Sequence, residues 1–457
     1  MRALGAAPVA TTGCLLLGLT VAPVDPHPLT EAHTTSAAAA ATLTFHPPVV
    51  IATGKGRSGG GFWGLRREPS AAVVGNIGID KGDPSLEAWG WASDDKGSSW
   101  KPAWRNFSLG WGTGYNGQGE LASFGGGQPD PGALLAEPTR DPFANYTALH
   151  GSRSYVVRGT AGLPVVAAVD RPVSVTGLPR PASCGPKGSL VGVCPLQLMP
   201  GHTALPDGSL LRLGLASFAR SNWPHSTIAL RSTDGGYNWR YLSTVAAAED
   251  FPWAHEGPGE AAVALLSDNR TLLAVVRVDG GDGGCDRAEL ERHGVCKEEA
   301  SSARPVRDAV QLISHDFGRT WGDARNLTGF GAAGPKLLRL GKRLLLVLGR
   351  QASPDGVGAG TDVRLFVSER GDATDWRAHS VSAAHNSLAA RGVPRFTGHI
   401  NASGHPRECG GEAGLVAVSA TEALVTYDRG ELCYPIGQDG CKSVEPSVFA
   451  MRVQFAE

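Results

Sequence analysis

The chain has 457 residues, 42% of them hydrophobic, which is enough to bury a large core. Its formal net charge is −1 at pH 7, and no Lys/Arg run forms a basic face, which argues against a nucleic-acid partner. The 62 glycines and 31 prolines favour many short strands joined by turns over long helices.

The N-terminal region predicts export. Arg2 is followed by a mostly apolar stretch from about Val9 to Ala22, so residues 1–22 are interpreted as a signal peptide. Residues 23–42 are rich in Pro, Thr and Ala and predict a low-complexity leader. No second apolar run approaches the length of a membrane span, so we expect a secreted protein without a membrane anchor.

The acceptor motif for N-glycosylation, Asn-x-Ser/Thr, also favours the secretory pathway. It occurs at five asparagines: Asn106, Asn145, Asn269, Asn326 and Asn401.

The cysteines agree with an oxidising compartment. Two close pairs flank Gly-rich loops, as local disulfides do: Cys184 with Cys194, and Cys285 with Cys296. An odd number remains once Cys14 is removed with the signal peptide: Cys409, Cys433 and Cys441. Zinc ligation is the alternative, but neither Cys-x₂-Cys nor His-x₃-His spacing occurs, so disulfides are favoured.

Three segments share the pattern Ser-x-Asp-x-Gly-x-x-Trp. Their matching residues are Ser93, Asp95, Gly97 and Trp100; Ser232, Asp234, Gly236 and Trp239; and Ser314, Asp316, Gly318 and Trp321. In each segment we expect the carboxylate to accept backbone N–H bonds, the glycine to take a positive φ and the tryptophan to pack back as an apolar peg. Apolar runs before the second and third segments predict strands that enter a hairpin.

This pattern resembles the Asp-box, the signature turn of sialidase-type β-propellers. The resemblance covers most of the chain from about Arg67 onward. It implies an all-β fold built as a β-propeller, in which the Asp-boxes are structural turns at the outer edge and carry no chemistry themselves.

A longer repeat surrounds the Asp-boxes. Pairs of short apolar strands around a tight turn begin at Gly259, Gly334 and Gly411, and a looser pair begins at His202. Each pair predicts the inner half of a blade, and residues 368–376 resemble a decayed Asp-box.

The spacing of the Asp-boxes predicts the number of blades. The interval between the first two leaves room for an unmarked blade at about 146–172, so we expect six blades. A strand at 43–51 is expected to close the ring against 448–455. The whole of 43–457 is therefore interpreted as one six-bladed domain.

Arginines near the ends of inner strands suggest a binding site, because the inner strands of a propeller converge on one axis. Arg277 and Arg350 each end such a strand, and Arg67 is expected to open another. Three guanidinium groups on one axis suit a carboxylate ligand. For any single arginine, ordinary solvated surface is the alternative.

The resemblance to sialidases implies a role for each of these residues. Arg67-x-Pro69 resembles the family's Arg-Ile-Pro motif, so Arg67, Arg277 and Arg350 would bind the carboxylate of the substrate. Glu260 would assist the nucleophile. Asp83, shortly before the first Asp-box, would be the acid/base, with plain Asp-Pro turn chemistry as the alternative.

The nucleophile is where the sequence departs from the family, which places a Tyr at the start of the last inner hairpin. This chain has Glu412 there, and Tyr427, which follows on the next strand, is a further catalytic candidate. Glu412 could replace the nucleophile, a tyrosine such as Tyr434 could enter from the Cys-rich loop, or the covalent mechanism could be lost. Glu412 beside Glu260 would form a like-charge pair in which one carboxyl has a raised pKa.

Weaker features complete the sequence. The loop Asp279–Asp286 has the carboxylates that calcium prefers, although a solvated connection is the favoured interpretation, and no cofactor is expected. Trp111 and Trp253 could stack on a sugar face, with core packing as the default.

The leading hypothesis is a secreted monomeric hydrolase of the exo-α-sialidase type that removes a terminal acidic sugar from a glycan or glycoconjugate. The alternatives are a propeller glycosidase or lyase of other specificity, and a non-catalytic propeller that binds acidic glycans.

Overall fold

A computed structural model describes residues 43–53, 57–64, 69–79, 89–105, 113–124, 148–149, 154–160, 163–169, 173–179, 196–216, 218, 224–252, 254, 257–279, 307–328, 333–351, 362–396, 408–409, 413–431 and 446–456. The predicted signal peptide and leader lie outside these residues, and Ala41–Glu457 forms one compact unit.

Short β-strands dominate the described residues. In chain order they are β1 (Leu43–Phe45), β2 (Val49–Thr53), β3 (Arg57–Gly64), β4 (Val73–Ile79), β5 (Trp89–Ser93), β6 (Lys101–Arg105), β7 (Thr113–Tyr115), β8 (Leu121–Phe124), β9 (Ala148–Leu149), β10 (Ser154–Thr160), β11 (Leu163–Val169), β12 (Ser174–Thr176), β13 (Leu196–Leu198), β14 (Thr203–Ala204), β15 (Leu210–Ala216), β16 (Ser226–Ser232), β17 (Asn238–Ala246), β18 (Gly257–Leu265), β19 (Leu272–Asp279), β20 (Arg307–Ser314), β21 (Gly322–Thr328), β22 (Ala333–Leu340), β23 (Arg343–Gln351), β24 (Asp362–Ser368), β25 (Arg377–Ser380), β26 (Glu408–Cys409), β27 (Ala413–Ala417), β28 (Glu422–Glu431) and β29 (Ser447–Phe455). The described helices are a 3₁₀ turn at Ala248–Asp250 and α1 at Val381–Leu388.

These strands form six sheets within the described part of the chain. Four of them are antiparallel and four-stranded: β3–β4–β5–β6, β7–β8–β10–β11, β18–β19–β20–β21 and β22–β23–β24–β25. A fifth sheet has β15, β16 and β17 at its centre, with β13 and β14 on one side and β12 and β9 on the other. The sixth joins β27, β28 and β29 to β1 and β2, so both ends of the described chain lie in one sheet. This arrangement is an all-β propeller, as predicted.

The predicted closure of the ring is confirmed by the pairing of β29 with both N-terminal strands. Leu43 pairs with Phe455, and Val49 pairs with Ala450, in antiparallel register. The N-terminal strands thus complete the last sheet of the ring before the chain enters β3.

The predicted number of six blades needs a correction. Five sheets pack directly against one another in series along the chain, from β13–β17 through β18–β21, β22–β25 and the closing sheet to β3–β6. These are the five full blades. The β7–β8–β10–β11 sheet is a reduced unit whose first two strands have only 3 and 4 residues. The sequence predicts an unmarked blade at 146–172, but half of this sheet comes from residues 113–124, where the sequence shows no repeat.

Apolar clusters fill the spaces between neighbouring sheets. The largest lies between the β22–β25 sheet and the closing sheet, and it includes Leu345 of β23, Leu365 of β24 and Phe449 of β29. The smallest, between β3–β6 and the reduced sheet, has Val74, Ala92 and Leu121 at its centre. The inner strands therefore bury both of their faces, which explains the continuous apolar runs in β15, β19 and β23.

The three Asp-box turns have the predicted geometry. In the third, Asp316 Oδ1 accepts hydrogen bonds from the N–H groups of Arg319 and Thr320 and from Ser314 Oγ. The glycine of each turn has a positive φ, between 83° and 100°. In the second turn the indole of Trp239 is buried and its Nε1 donates to Gly236 O at 2.7 Å.

The first and third Asp-box turns also bind the preceding sheet. Lys96, in the first turn, forms an ion pair with Glu422 of β28 at 2.8 Å. In the third turn, Trp321 Nε1 donates to Ser243 Oγ of β17, which in turn donates to Gly318 O. The decayed turn behaves likewise, because Ser267 N donates to Gly371 O. The turns therefore join neighbouring blades at one end of the propeller, which we call the Asp-box end.

Candidate functional site

The opposite end of the propeller is where β18 and β22 begin, and we call it the Glu260 end. The connection between β18 and β19 contacts the decayed Asp-box turn through Ser267, so the start of β18 lies at the other end of its blade. There β18 has a register shift between Pro258 and Ala261, and Glu260 is one of the two residues in this bulge. Bulges often redirect a side chain next to an active site.

The bulge in β18 is held from the preceding blade. Gly257 has a φ of 80°, and a Cβ there would come within 2.3 Å of His225 O, so only glycine fits. Thr227 Oγ1 lies 3.0 Å from Pro258 O and 3.3 Å from Gly259 O, to which it donates. The hydroxyl of Thr227 thus gives the carbonyls of Pro258 and Gly259 a hydrogen-bond partner at the bulge. This holds the backbone in place directly before Glu260.

The Glu260 carboxylate connects two blades. Its Oε2 is 2.9 Å from Nη1 of Arg277 on β19, and it accepts the N–H of Gly334 on β22 at 2.7 Å. Gly334 is available because β22 has its own register shift between Ala333 and Lys336. The side chains of Glu260 and Arg277 remain 17% and 11% exposed, so a ligand at this end of the blades can reach the pair.

The charges around Glu260 keep it ionised. Burial acts to raise the pKa of Glu260, but Arg277, the Gly334 N–H and Lys336 together lower that pKa to about 2. With two cations around one carboxylate, the cluster carries net positive charge. It is suited to an anionic ligand, with Glu260 as an electrostatic stabiliser and not as a proton donor.

The structure thus brings together two of the predicted site residues, Glu260 and Arg277. Arg350 lies on β23 at the same end of the next blade, but one residue beyond Gly349, which pairs with Ala333. Arg277 lies opposite the bulge in β18, and Leu348 lies opposite the equivalent bulge in β22. The residue equivalent to Arg277 is therefore Leu348 and not Arg350. Arg350 therefore lies two residues further along its strand than Arg277, and its side chain is outside the described part of the structure.

Arg67 lies outside the described residues. Before it β3 ends at Gly64, and after it β4 begins at Val73. Ser70 N donates to Ala417 O, and Ala71 O accepts from Lys96 of the first Asp-box turn. The described residues that follow Arg67 are thus at the Asp-box end, and the inner strand β3 begins at Arg57.

Tyr427 is wrong as a catalytic candidate. Its side chain is 1% exposed, and it packs among Phe396, Phe449 and His385 in the apolar cluster between two blades. Because His385 Nε2 lies 2.8 Å from Pro394 O, which only accepts, His385 Nδ1 accepts the phenol hydrogen at 2.8 Å. Burial raises the pKa of Tyr427 well above its ordinary value, so it stays a neutral core residue.

The remaining predicted residues lie outside the described residues and stay predictions. They are Asp83, Glu412, Tyr434, Trp111, Trp253, the four cysteines predicted to form local disulfides (Cys184, Cys194, Cys285 and Cys296), and the asparagines Asn106, Asn145 and Asn401. Of the loop Asp279–Asp286, only the backbone of Asp279 is described. Asn269 and Asn326 are described and both are exposed.

Two contributors to the site were missed from the sequence: Thr227 and Lys336. Lys336 follows Gly334-Pro335. Proline has no N–H for the sheet, so a Gly-Pro pair within an apolar strand indicates a bulge. Thr227 gives no such signal, because its hydrogen bond crosses from one blade to the next.

Within the described residues, no cluster of three or more His, Cys, Asp or Glu side chains suits a metal ion. The helices described there include none long and apolar enough to cross a membrane.

Solved structures similar to this chain share its propeller fold at low sequence identity. A protein of unknown function from Dyadobacter fermentans has a TM-score of 0.54 at 16% identity, over 91% of this chain and 99% of that chain. The α-L-arabinanase of Penicillium chrysogenum, solved with arabinobiose, has a TM-score of 0.50 at 11% identity, over 89% and 98%. The Trypanosoma rangeli sialidase in complex with the inhibitor DANA has a TM-score of 0.43 at 11% identity, over 90% of this chain and 55% of that chain. No protein-family model and no curated protein matches the chain.

Proposed function

We propose that the protein is a propeller glycoside hydrolase of the exo-α-sialidase type, which removes a terminal acidic sugar from a glycan or glycoconjugate. The observation that carries this proposal is the ion pair between Glu260 and Arg277 with Lys336 beside it, at the end of the blades opposite the Asp-box turns. Its net positive charge suits a sugar carboxylate, and its carboxylate suits the stabilisation of an oxocarbenium-like transition state.

Each residue then has a role. Arg277 binds the carboxylate of the substrate through its planar guanidinium, and Arg350 acts with it. Glu260, ionised at all physiological pH values, assists the nucleophile or a water molecule. Asp83 is proposed as the acid/base. Arg67 is proposed as the third arginine of the carboxylate site.

The second candidate is a propeller glycosidase of other specificity. It is favoured by the core position of Tyr427, which leaves Glu412 and Tyr434 as the remaining proposed nucleophiles. Two glutamates as the reacting pair would be the ordinary carboxylate arrangement of glycosidases. The arabinanase among the similar solved structures supports a propeller glycosidase as the common class without fixing the sugar.

The chain is further proposed to be secreted, monomeric and glycosylated, with local disulfides between Cys184 and Cys194 and between Cys285 and Cys296. Asn269 and Asn326 support this part, because both side chains are exposed. Asn269 lies in the turn between β18 and β19 at the Asp-box end, and Asn326 lies on the outermost strand β21, two strands away from Arg277 on β19.

The experiment compares release of a fluorogenic leaving group from an α-sialoside and from an α-L-arabinofuranoside by the protein purified from a secreting eukaryotic host. Glu260→Gln and Arg277→Lys are the test variants. Glu369→Gln is the matched control, because Glu369 also forms an ion pair with an arginine, Arg343, at 2.7 Å but at the Asp-box end. We expect a loss of about 100-fold or more in kcat/KM for the test variants and none for the control.

The outcomes separate the candidates. Release from the sialoside supports the first proposal, and release from the arabinofuranoside alone supports the second. Binding of sialic acid without release from either substrate would mean a glycan-binding propeller. Activity that survives Glu260→Gln and Arg277→Lys would place the reaction elsewhere and contradict the site.

A further inference from the structure

Lys336 lies at the Glu260 end of the propeller without a bonded partner in the described part of the chain. It is half-buried on β22, opposite Val347 of β23, and directly follows the register shift that includes Gly334. It has neither an ion pair nor a hydrogen bond to any residue that the structure describes. A half-buried ammonium group has lost part of its hydration, so a nearby anion stabilises it.

Other described cations that are buried or half-buried do have a carboxylate partner. These ion pairs join Lys96 to Glu422 at 2.8 Å, Arg343 to Glu369 at 2.7 Å, Arg364 to Asp362 at 3.1 Å, and Arg231 to Asp207. Within the described residues, Lys336 is therefore an exception to the way in which this protein compensates its half-buried cations.

The carboxylate of Glu260 does not compensate Lys336. Its Oε2 is bound to Arg277 Nη1 at 2.9 Å and to the N–H of Gly334 at 2.7 Å. Lys336 helps to lower the pKa of Glu260 through its charge, without an ion pair between the two side chains. Glu260 thus matches the charge of Arg277, and Lys336 accounts for the positive charge that remains in this cluster.

The strand register places Lys336 on the face of β22 that looks toward the closing sheet. Lys336 and Leu338 are two residues apart in regular pairing, so they share a face, and Leu338 packs in the apolar cluster between this blade and the closing sheet. Glu260 reaches β22 from the blade on the other side. A ligand that contacts both the Glu260–Arg277 pair and Lys336 would lie over the start of β22.

We propose that Lys336 is the specificity-determining residue of the Glu260 end, and that its charge selects a sugar with a carboxylate over a neutral sugar of the same size. This inference rests on the proposed function and deepens it. It assigns the preference for an acidic sugar mainly to Lys336, because Arg277 already has an anionic partner in Glu260.

The experiment measures the binding of matched acidic and neutral sugars to the full chain. Isothermal titration calorimetry compares N-acetylneuraminic acid with its methyl ester, and galacturonic acid with galactose. Lys336→Gln removes the charge, and Lys336→Arg keeps it. Lys342→Gln is the matched control, because Lys342 is an exposed lysine in the turn between β22 and β23, at the other end of the same hairpin.

We expect wild type to bind the acid of at least one pair about tenfold more tightly than the neutral sugar. Lys336→Gln should reduce this preference about five- to tenfold, mainly through weaker binding of the acid. Lys336→Arg and Lys342→Gln should keep the preference. The melting temperature of Lys336→Gln should not fall, because the substitution breaks no ion pair within the described structure.

Three results would overturn the proposal. The first is a Lys336→Gln protein with the same preference for the acid as wild type. The second is a wild-type protein that prefers neither acid, which includes a protein that binds none of the four sugars. The third is an equal loss of preference in Lys336→Arg or in Lys342→Gln, since the effect would then not depend on the charge at this position.

Release of the leaving group from the α-sialoside is measured in parallel with the same variants. Binding of an acid that depends on Lys336, without release, would contradict the proposed hydrolase and leave the role of Lys336 intact. Release that requires Glu260, with an acid preference that Lys336→Gln does not change, would leave the proposed function intact and contradict the role of Lys336.

Discussion

The two ends of the propeller use carboxylates in different ways. At the Asp-box end, Asp316 is bound within its own turn by Ser314, Arg319 and Thr320, so its partners are all close in sequence. At the Glu260 end, the carboxylate of Glu260 reaches a strand partner and the backbone of the next blade. A locally satisfied carboxylate stabilises a turn, whereas one satisfied across blades joins two sheets, as Glu422 also does through Lys96 at the Asp-box end. Glu260 differs from Glu422 in its position beside Arg277, where a ligand can reach the pair.

The largest expected effect is on the Glu260 end. Arg277→Ala leaves the Glu260 carboxylate largely buried beside only the Gly334 N–H and Lys336, and we expect a loss of about 3 kcal/mol in the free energy of unfolding. Arg343→Ala at the Asp-box end should cost about 2 kcal/mol or less, because its partner Glu369 is 25% exposed and can be hydrated. Urea denaturation measures both, and equal losses would remove the distinction between the ends.

The pH dependence of stability should identify Glu260 specifically. Its pKa in the folded protein is about 2, below the ordinary 4.5, so the unfolded chain binds a proton more readily. Its contribution is therefore complete above about pH 4.5 and is lost as the pH falls through the folded pKa near 2. The stability difference between wild type and Glu260→Gln should shrink as the pH falls over this range. A difference independent of pH would contradict the assigned ionisation of Glu260.

A smaller effect is expected from an intact Asp-box turn. Asp316→Ala removes the acceptor for Ser314, Arg319 and Thr320, and about 1–2 kcal/mol of stability should be lost. Asp372→Ala in the decayed turn is the control, since Asp372 accepts only local bonds from Thr374 and an exposed contact with Arg370.

The Asp372→Ala change should stay within about 0.5 kcal/mol of wild type by urea denaturation. The kcat/KM of Asp316→Ala should also be unaltered, because the Asp-box end is remote from the ion pair. A loss of activity without a loss of stability would show that this end takes part in the chemistry.

The smallest effect compares two buried threonines. Thr227→Val removes the hydrogen bonds to Pro258 O and Gly259 O that hold the bulge, and about 1–2 kcal/mol should be lost together with activity. Thr426 Oγ1 is buried without a hydrogen-bond partner among the described residues, so Thr426→Val should be neutral or stabilising by up to about 1 kcal/mol. Calorimetry of the two variants checks the pair. A destabilised Thr426→Val would mean that this hydroxyl is satisfied.

Glu260 and Arg277 could be predicted from the sequence because they lie on one hairpin, whose strands the apolar pattern reveals. Tyr427 could not be placed in this way. A tyrosine near the end of an inner strand has the same pattern whether it points to a site or into the core, and only the packing of His385, Phe396 and Phe449 around it decides.

Local chemistry determined what the sequence revealed by itself: the Asp-box turns, whose bonds join residues at most four apart, and the apolar strand pairs that make an all-β propeller. The tertiary structure alone decided the reduced sheet, the bulges that shift Arg350 from the register of Arg277, and the bonds from Thr227 and Gly334 that position Glu260. These features depend on contacts between separate blades, and the pattern of one blade's residues contains no information about its neighbour.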